Sequence, residues 1–142
     1  MEPVLLDTDT LSEVIKGRNA QIRQRARQYI AVFGYFTFSV ITRYEILRGL
    51  KAKGAARQAE AFEQRCKESK VLPLTDEIIV QATDIYADLY KRGQLISDAD
   101  ILIAATAIVH GLTLATENTT HFQRISGLGI VSWRTAFMID CL

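Results

Sequence analysis

Two rhythms of apolar and polar positions alternate along the chain. Short apolar runs at 4–6, 35–38, 71–74, 112–116 and 129–132 read as strands, since they are rich in branched, Leu or aromatic residues and end at polar turns. Between them, apolar positions recur at helical spacing. Leu11, Val14 and Ile15 open a first helix after the turn Asp7-Thr8-Asp9-Thr10. An Arg-rich helix is predicted over 20–33. A third, capped by Ser39, covers about 40–50 and ends near Gly49, and an Ala-, Gln- and Glu-rich helix spans 54–67. Thr75 is placed to cap a long helix reaching Arg92, with Gly93 just past its end. Ser97 is placed to cap a helix with body 101–109 that stops at Gly111, and a short helix is expected near 118–124.

Strands alternating with helices predict an α/β fold: three layers, with a mainly parallel central sheet flanked by helices. No internal repeat, low-complexity tract or Pro/Gly-rich linker interrupts the pattern, so residues 1–142 read as a single domain. In such sheets ligands bind beyond the carboxyl ends of the strands.

Composition narrows the picture. The chain is 49% hydrophobic and 23% charged over 142 residues, which excludes a disordered tail, a collagen-like chain and a disulfide scaffold. Cys66 and Cys141 lie far apart without a CxxC motif, and a reducing cytoplasm is the simpler home. The longest apolar stretch, 101–109, falls well short of the ~20 residues of a membrane helix, and the N-terminus does not read as a signal peptide. Residues 1–57 hold ten Lys/Arg against five Asp/Glu, and residues 58–142 hold seven against eleven. The basic half suits a polyanion or, equally, a solvated helix face.

The informative residues are acids. Asp7 ends the first predicted strand and Asp9 follows two residues on. Glu45 sits in an apolar helix context, Asp98 and Asp100 open an apolar helix, and Asn118, beside Glu117, follows a strand. Strand ends and helix starts converge on one edge of a parallel sheet, where several carboxylates repel unless a cation lies between them. Hard divalent ions such as Mg²⁺ accept oxygen ligands, whereas His110 and His121 stand alone and do not suggest zinc. Asp100, Ala104 and Ala107 share one helix face, so small residues would let that helix approach the sheet closely. Each acid also has an ordinary structural reading. Asp7 or Asp9 can cap the first helix, and Ser97 with Asp100 forms a capping box in which Asp98 also suits the helix dipole. Glu45 can pair with Arg48, and Asn118 can cap a helix.

In order along the chain, four segments resemble the PIN-domain ribonucleases, and among them the VapC-type toxins of prokaryotic toxin–antitoxin pairs. They are Leu5-Leu6-Asp7-Thr8-Asp9, the segment from Ser39 through Glu45 to Gly49, the segment from Asp98 through Asp100 to Ala105, and the segment from Leu114 through Asn118 to Phe122. The resemblance implies that Asp7 and Asp100 are the main ligands of Mg²⁺ or Mn²⁺. It implies that Glu45 completes the acidic cluster and that Asn118 stands where many relatives carry a fourth Asp. Asp9 replaces the more usual Asn. Asp98 is an auxiliary acid, and Ser39 and Thr116 are hydrogen-bonding supports. Metal-dependent endonucleolytic cleavage of RNA, a cognate antitoxin protein and a homodimer follow as expectations. Arg18, Arg23, Arg25 and Arg27 would hold flanking phosphates.

Two other readings start from the same residues. Asp7-Thr8-Asp9-Thr10 fits the DxDxT signature of haloacid-dehalogenase-type phosphatases, with Asp7 as nucleophile, Asp9 as general acid and Lys70 as the nearest candidate for the required lysine. The other is an inactive PIN-like module that binds RNA or protein.

Overall fold

Every strand among the described residues is only two or three residues long, yet the strands assemble in a strict order. The computed structural model describes residues 1–135. These form β1 (Val4–Leu6), α1 (Thr8–Lys16), α2 (Ala20–Phe33), β2 (Thr37–Ser39), α3 (Val40–Ala52) and α4 (Ala56–Lys67). They continue as β3 (Lys70–Leu72), α5 (Asp76–Lys91), α6 (Asp98–Val109), β4 (Thr113–Ala115), α7 (Thr119–Phe122) and β5 (Ile130–Val131). The sheet order is β3-β2-β1-β4-β5 and all four pairings are parallel. In register, Leu6 lies opposite Phe38 on one side and Ala115 on the other.

The two-residue period of the strands divides the core between the two faces. Leu5, Leu72 and Leu114 pack with Ile78, Ile85 and Leu89 of α5 and Ile101 and Ile103 of α6. Val4, Leu6, Phe38 and Ala115 point the other way, against Leu11 of α1, Ile22 and Tyr29 of α2, and Phe62 of α4. This is the expected three-layer α/β arrangement. The Tyr29 hydroxyl accepts from the Val4 N–H at 3.1 Å, which satisfies a buried donor at the start of the central strand. Asn19 and Thr75 cap α2 and α5 through the N–H groups of Ile22 and Ile78.

The structure moves several predicted boundaries. The strand expected over 71–74 stops at Leu72, because Pro73 has no N–H for the ladder. α3 runs through Gly49 to Ala52. Gly54, expected inside α4, instead turns the chain at φ 70°. The helix with predicted body 101–109 starts at Asp98, directly after its Ser97 cap. Cys66 is buried, while Cys141 lies outside the described residues. Among the described residues, no helix is long and apolar enough to cross a membrane.

Leu5 has no exposed surface and sits on the α5/α6 side of the middle strand. Leu5→Ala should cost about 2–5 kcal/mol of stability. Urea denaturation would show this as a lower midpoint.

Candidate active site

Parallel topology decides where the acids go. Asp7 directly follows β1, Ser39 ends β2 and Thr116 directly follows β4, so three adjacent strands bring these residues to one edge. α1 and α3 begin at that edge because each directly follows its strand. α6 also begins there, since it runs back to feed the start of β4.

Asp7 is the N-cap of α1: its carboxylate accepts the Thr10 N–H at 2.8 Å. The residue is only 4% exposed. Burial pushes its carboxyl up to about pKa 6, and the negative charge of Asp9 adds to the shift. Hydrogen bonds from the Thr116 hydroxyl and the Thr10 amide oppose this without cancelling it. Thr116 is itself fixed, because its hydroxyl oxygen accepts the Asn118 N–H at 2.9 Å.

Glu45 reaches the same edge from α3. The Thr8 hydroxyl donates to its Oε1 at 2.6 Å and lies 3.1 Å from the Thr42 hydroxyl, which links the first turn of α1 to α3. The other Glu45 oxygen is 3.9 Å from Arg48, a loose form of the pairing suggested by their spacing. α3 is in turn tied to α4 by Arg43, whose guanidinium binds both oxygens of Glu63 at 2.9 and 2.7 Å.

Asp100 stands in the first turn of α6, and its N–H is held by the Ser97 hydroxyl at 3.2 Å. Its carboxyl is raised, first by burial and then by the charges of Glu45 and Asp9, against the stabilising pull of Ser97 and His121. The charges of Glu45 and Asp9 thus reach Asp100 across the same edge of the sheet. Asn118 occupies the N-cap position of α7 without making a capping bond, and its side-chain nitrogen lies 2.8 Å from His121 Nδ1. A cleft of about 440 Å³ opens beside Asp9 and Asn118.

Of the supporting residues, Ser39 is fully buried and serves as the cap of α3, accepting the Ile41 N–H at 3.0 Å. Asp98 is exposed, so the two acids opening α6 have unlike surroundings. Among the α2 arginines, Arg23 donates to the Gly17 carbonyl at 2.7 Å. Three side chains gained little weight from sequence alone. Thr8 carries no signal beyond its place between two acids. His121 is detectable only as i+3 from Asn118. Glu117 accepts from the Ser132 hydroxyl at 2.5 Å and the Trp133 N–H at 3.0 Å, and no periodicity announces that link.

Among the described residues, no three His, Cys, Asp or Glu side chains form a group able to hold a metal ion by themselves. Glu45 and Asp9 are close enough to raise the Asp100 carboxyl, and Asp9 that of Asp7, but no closed cage forms among the described residues. That donor set fits an ion of the Mg²⁺ type, which takes one or two carboxylates and keeps waters, better than zinc. A divalent cation here would counter both causes of the raised carboxyls, lost hydration and like-charge repulsion. The phosphatase reading lacks its lysine: Lys70 begins β3 in register with Thr37, at the opposite, amino edge of the sheet.

A parallel α/β domain with acids at the carboxyl edge of its central strands places its polar side chains where sheets of this class bind ligands. The chain matches the PIN-domain family over residues 4–128 and belongs to that family. It is 32% identical to Ribonuclease VapC1 of Methanocaldococcus jannaschii, an alignment covering 89% of this chain and 84% of the relative. It is 34% identical to VapC ribonuclease Y4jK of Sinorhizobium fredii, over 94% of this chain and 99% of the relative. The crystal structure of DNA-bound VapBC from Salmonella typhimurium contains a chain that superposes with a TM-score of 0.82. The two are 28% identical, with 94% of this chain and 99% of that one covered.

The shift at Asp7 has a definite sign. Its carboxyl is raised from 3.8 to about 6, so the folded state favours the protonated form. Without a divalent cation, that contribution to stability is complete below about pH 4 and is lost as pH rises through 6. Asp7→Asn keeps an oxygen for the Thr10 N–H and removes the buried charge. At neutral pH in EDTA it should therefore unfold later than the parent, by up to about 3 kcal/mol. The difference should vanish below pH 4, as measured by urea titration across pH.

Proposed function

We propose that this chain is a divalent-metal-dependent endoribonuclease, cutting RNA phosphodiester bonds in the cytoplasm as the toxin of a type II toxin–antitoxin pair. The whole chain serves as one PIN-like domain. The observation that carries the reading is the placement of Asp7, Glu45 and Asp100 at one sheet edge, where burial raises the carboxyls of Asp7 and Asp100 and the charge of Glu45 adds to the shift at Asp100. Relatives named ribonucleases align with nearly the whole chain, which supports the choice of substrate.

In this reading Asp7 and Asp100 hold Mg²⁺ or Mn²⁺. Such an ion supplies charge neutralisation at the phosphate and a more acidic bound water. The chain's own groups do the positioning. Thr8 fixes one oxygen of Glu45 and leaves the other to orient a water molecule. The Thr116 hydroxyl holds the Asp7 carboxylate in place just past the strand end. Asn118 donates its amide N–H to His121, so its carbonyl oxygen stays free as a neutral ligand. The missing charge at Asn118 favours one tightly held ion over two. Single-stranded or looped RNA is the substrate, since its backbone bends into an acidic recess more readily than a duplex.

A nuclease of this kind must be silenced in its own cell, and a cognate antitoxin covering the acid edge would do so. The superposed Salmonella chain comes from a VapBC complex, which supports this. The chain also pairs with a second copy. Ile79, Tyr86 and Tyr90 are 42%, 43% and 65% exposed and lie on one face of α5, with the two tyrosine rings stacked at 6.1 Å. A stripe of this kind is the usual core of a small symmetric interface.

Single-stranded RNA should be cut in Mg²⁺ and left whole in EDTA. Loss of residues that merely support metal ligands costs 10–100-fold, so Asp7→Asn and Asp100→Asn should each lower cleavage by more than about 100-fold. Because Asp7→Asn is expected to be the more stable protein, its loss of activity would not reflect unfolding. Full cleavage by either variant, or undiminished cleavage in EDTA, would overturn the assignment. Light scattering after gel filtration should find a dimer, shifted toward monomer by Tyr86→Lys with Tyr90→Lys. A parent protein that elutes as a monomer would refute the pairing.

A further inference from the structure

On the outer side of α3, next to the acid edge, an aromatic ring and a guanidinium are stacked in the open. Tyr44 is 59% exposed. The Arg48 guanidinium carbon lies 5.0 Å from the centre of its ring, within cation–π range. The same guanidinium is 3.9 Å from Glu45 Oε2. Ring, cation and carboxylate are therefore consecutive neighbours, with Arg48 bridging the other two. An aromatic ring this exposed gains little from burial, and its contact with a solvated arginine contributes little to the fold.

This arrangement has the chemistry that single-stranded nucleic acid recognises. An unpaired base stacks on an aromatic face without regard to its hydrogen-bonding edge, and an adjacent guanidinium meets the phosphate that follows. One ring face carries Arg48 and leaves the other for a base. Resting on the ribonuclease reading above, we propose that Tyr44 and Arg48 form a nucleotide-binding subsite. Tyr44 stacks a base next to the scissile bond, and Arg48 holds its phosphate near Glu45. Both are positioning residues. A double-stranded substrate could not use the platform, so the subsite would select unpaired RNA.

The two contributions separate experimentally. Binding of a short fluorescent single-stranded RNA is measured by anisotropy on the Asp100→Asn background in Mg²⁺, so that the RNA stays intact. Tyr44→Leu should weaken binding about tenfold with an unchanged salt slope, and Tyr44→Phe should bind as the parent does. Arg48→Ala should reduce the slope of log affinity against log salt by about 0.7, the signature of one lost phosphate contact on a single strand. A 2-aminopurine base in the RNA should be quenched by the parent and by Tyr44→Phe, and not by Tyr44→Leu. In active protein, Tyr44→Leu should raise KM far more than it lowers kcat, and its melting temperature should match that of the parent.

If the parent neither binds nor cuts RNA, the ribonuclease reading itself fails. If it does both and Tyr44→Leu binds with parental affinity and quenching, the subsite is refuted and the nuclease stands. A Tyr44→Leu variant that keeps its RNA affinity but releases a co-expressed protein inhibitor would assign the surface to that protein and likewise refute the subsite.

Discussion

A buried carboxylate at the end of the central strand is the constraint on which the rest of the molecule turns. Asp7 must leave water because β1 is the middle strand, with β2 and β4 on either side and helices on both faces. Its hydrogen bonds from Thr10 and Thr116 make the position tolerable without restoring full hydration. The residue is thus a helix cap and an unsettled anion at once. Capping alone would be served equally well by Asn or Ser, neither of which carries a charge to bury.

Much of the surrounding structure holds other carboxylates at the same edge of the sheet. Left free, Glu45 would relax its repulsion with Asp100 by swinging into solvent. Thr8 prevents this from the first turn of α1, and the Arg43–Glu63 pair anchors α3 to α4 behind it. Ser97 fixes the first turn of α6 in the same way. On the far side, Glu117 draws in the segment after β5, and Trp133 then packs 5.7 Å from the ring of Tyr29. The Tyr29 hydroxyl meets the backbone of Val4, so the aromatic cluster supports the strand that presents Asp7.

The cost of this arrangement is stability, and its return is chemistry. Like charges held near one another by hydroxyls and packing are what a divalent ion would relieve, and the proposed function rests on that relief. Under the proposed function, changes that relieve the repulsion would relax the fold and disable the edge together, the usual opposition between stability and function.

Periodicity and short-range chemistry were legible in the sequence. Alternating strands and helices, the caps at Ser39, Thr75 and Ser97, and the parallel α/β class all follow from residues within a few positions of one another. Ends that depend on a competing neighbour were not legible. Pro73 cuts β3 short, and Gly49 is tolerated inside α3 while Gly54 breaks the chain. The order of acids suggested a common edge, and the helix face that Asp100 shares with Ala104 and Ala107 already set it apart from exposed Asp98. Nothing in the sequence joined Thr8 to Glu45 across 37 positions or Glu117 to Trp133 across 16. Caps and helical faces are set by local backbone geometry. Which distant hydroxyl meets which carboxylate is set by strand order and helix packing, and those exist only once the sheet has formed.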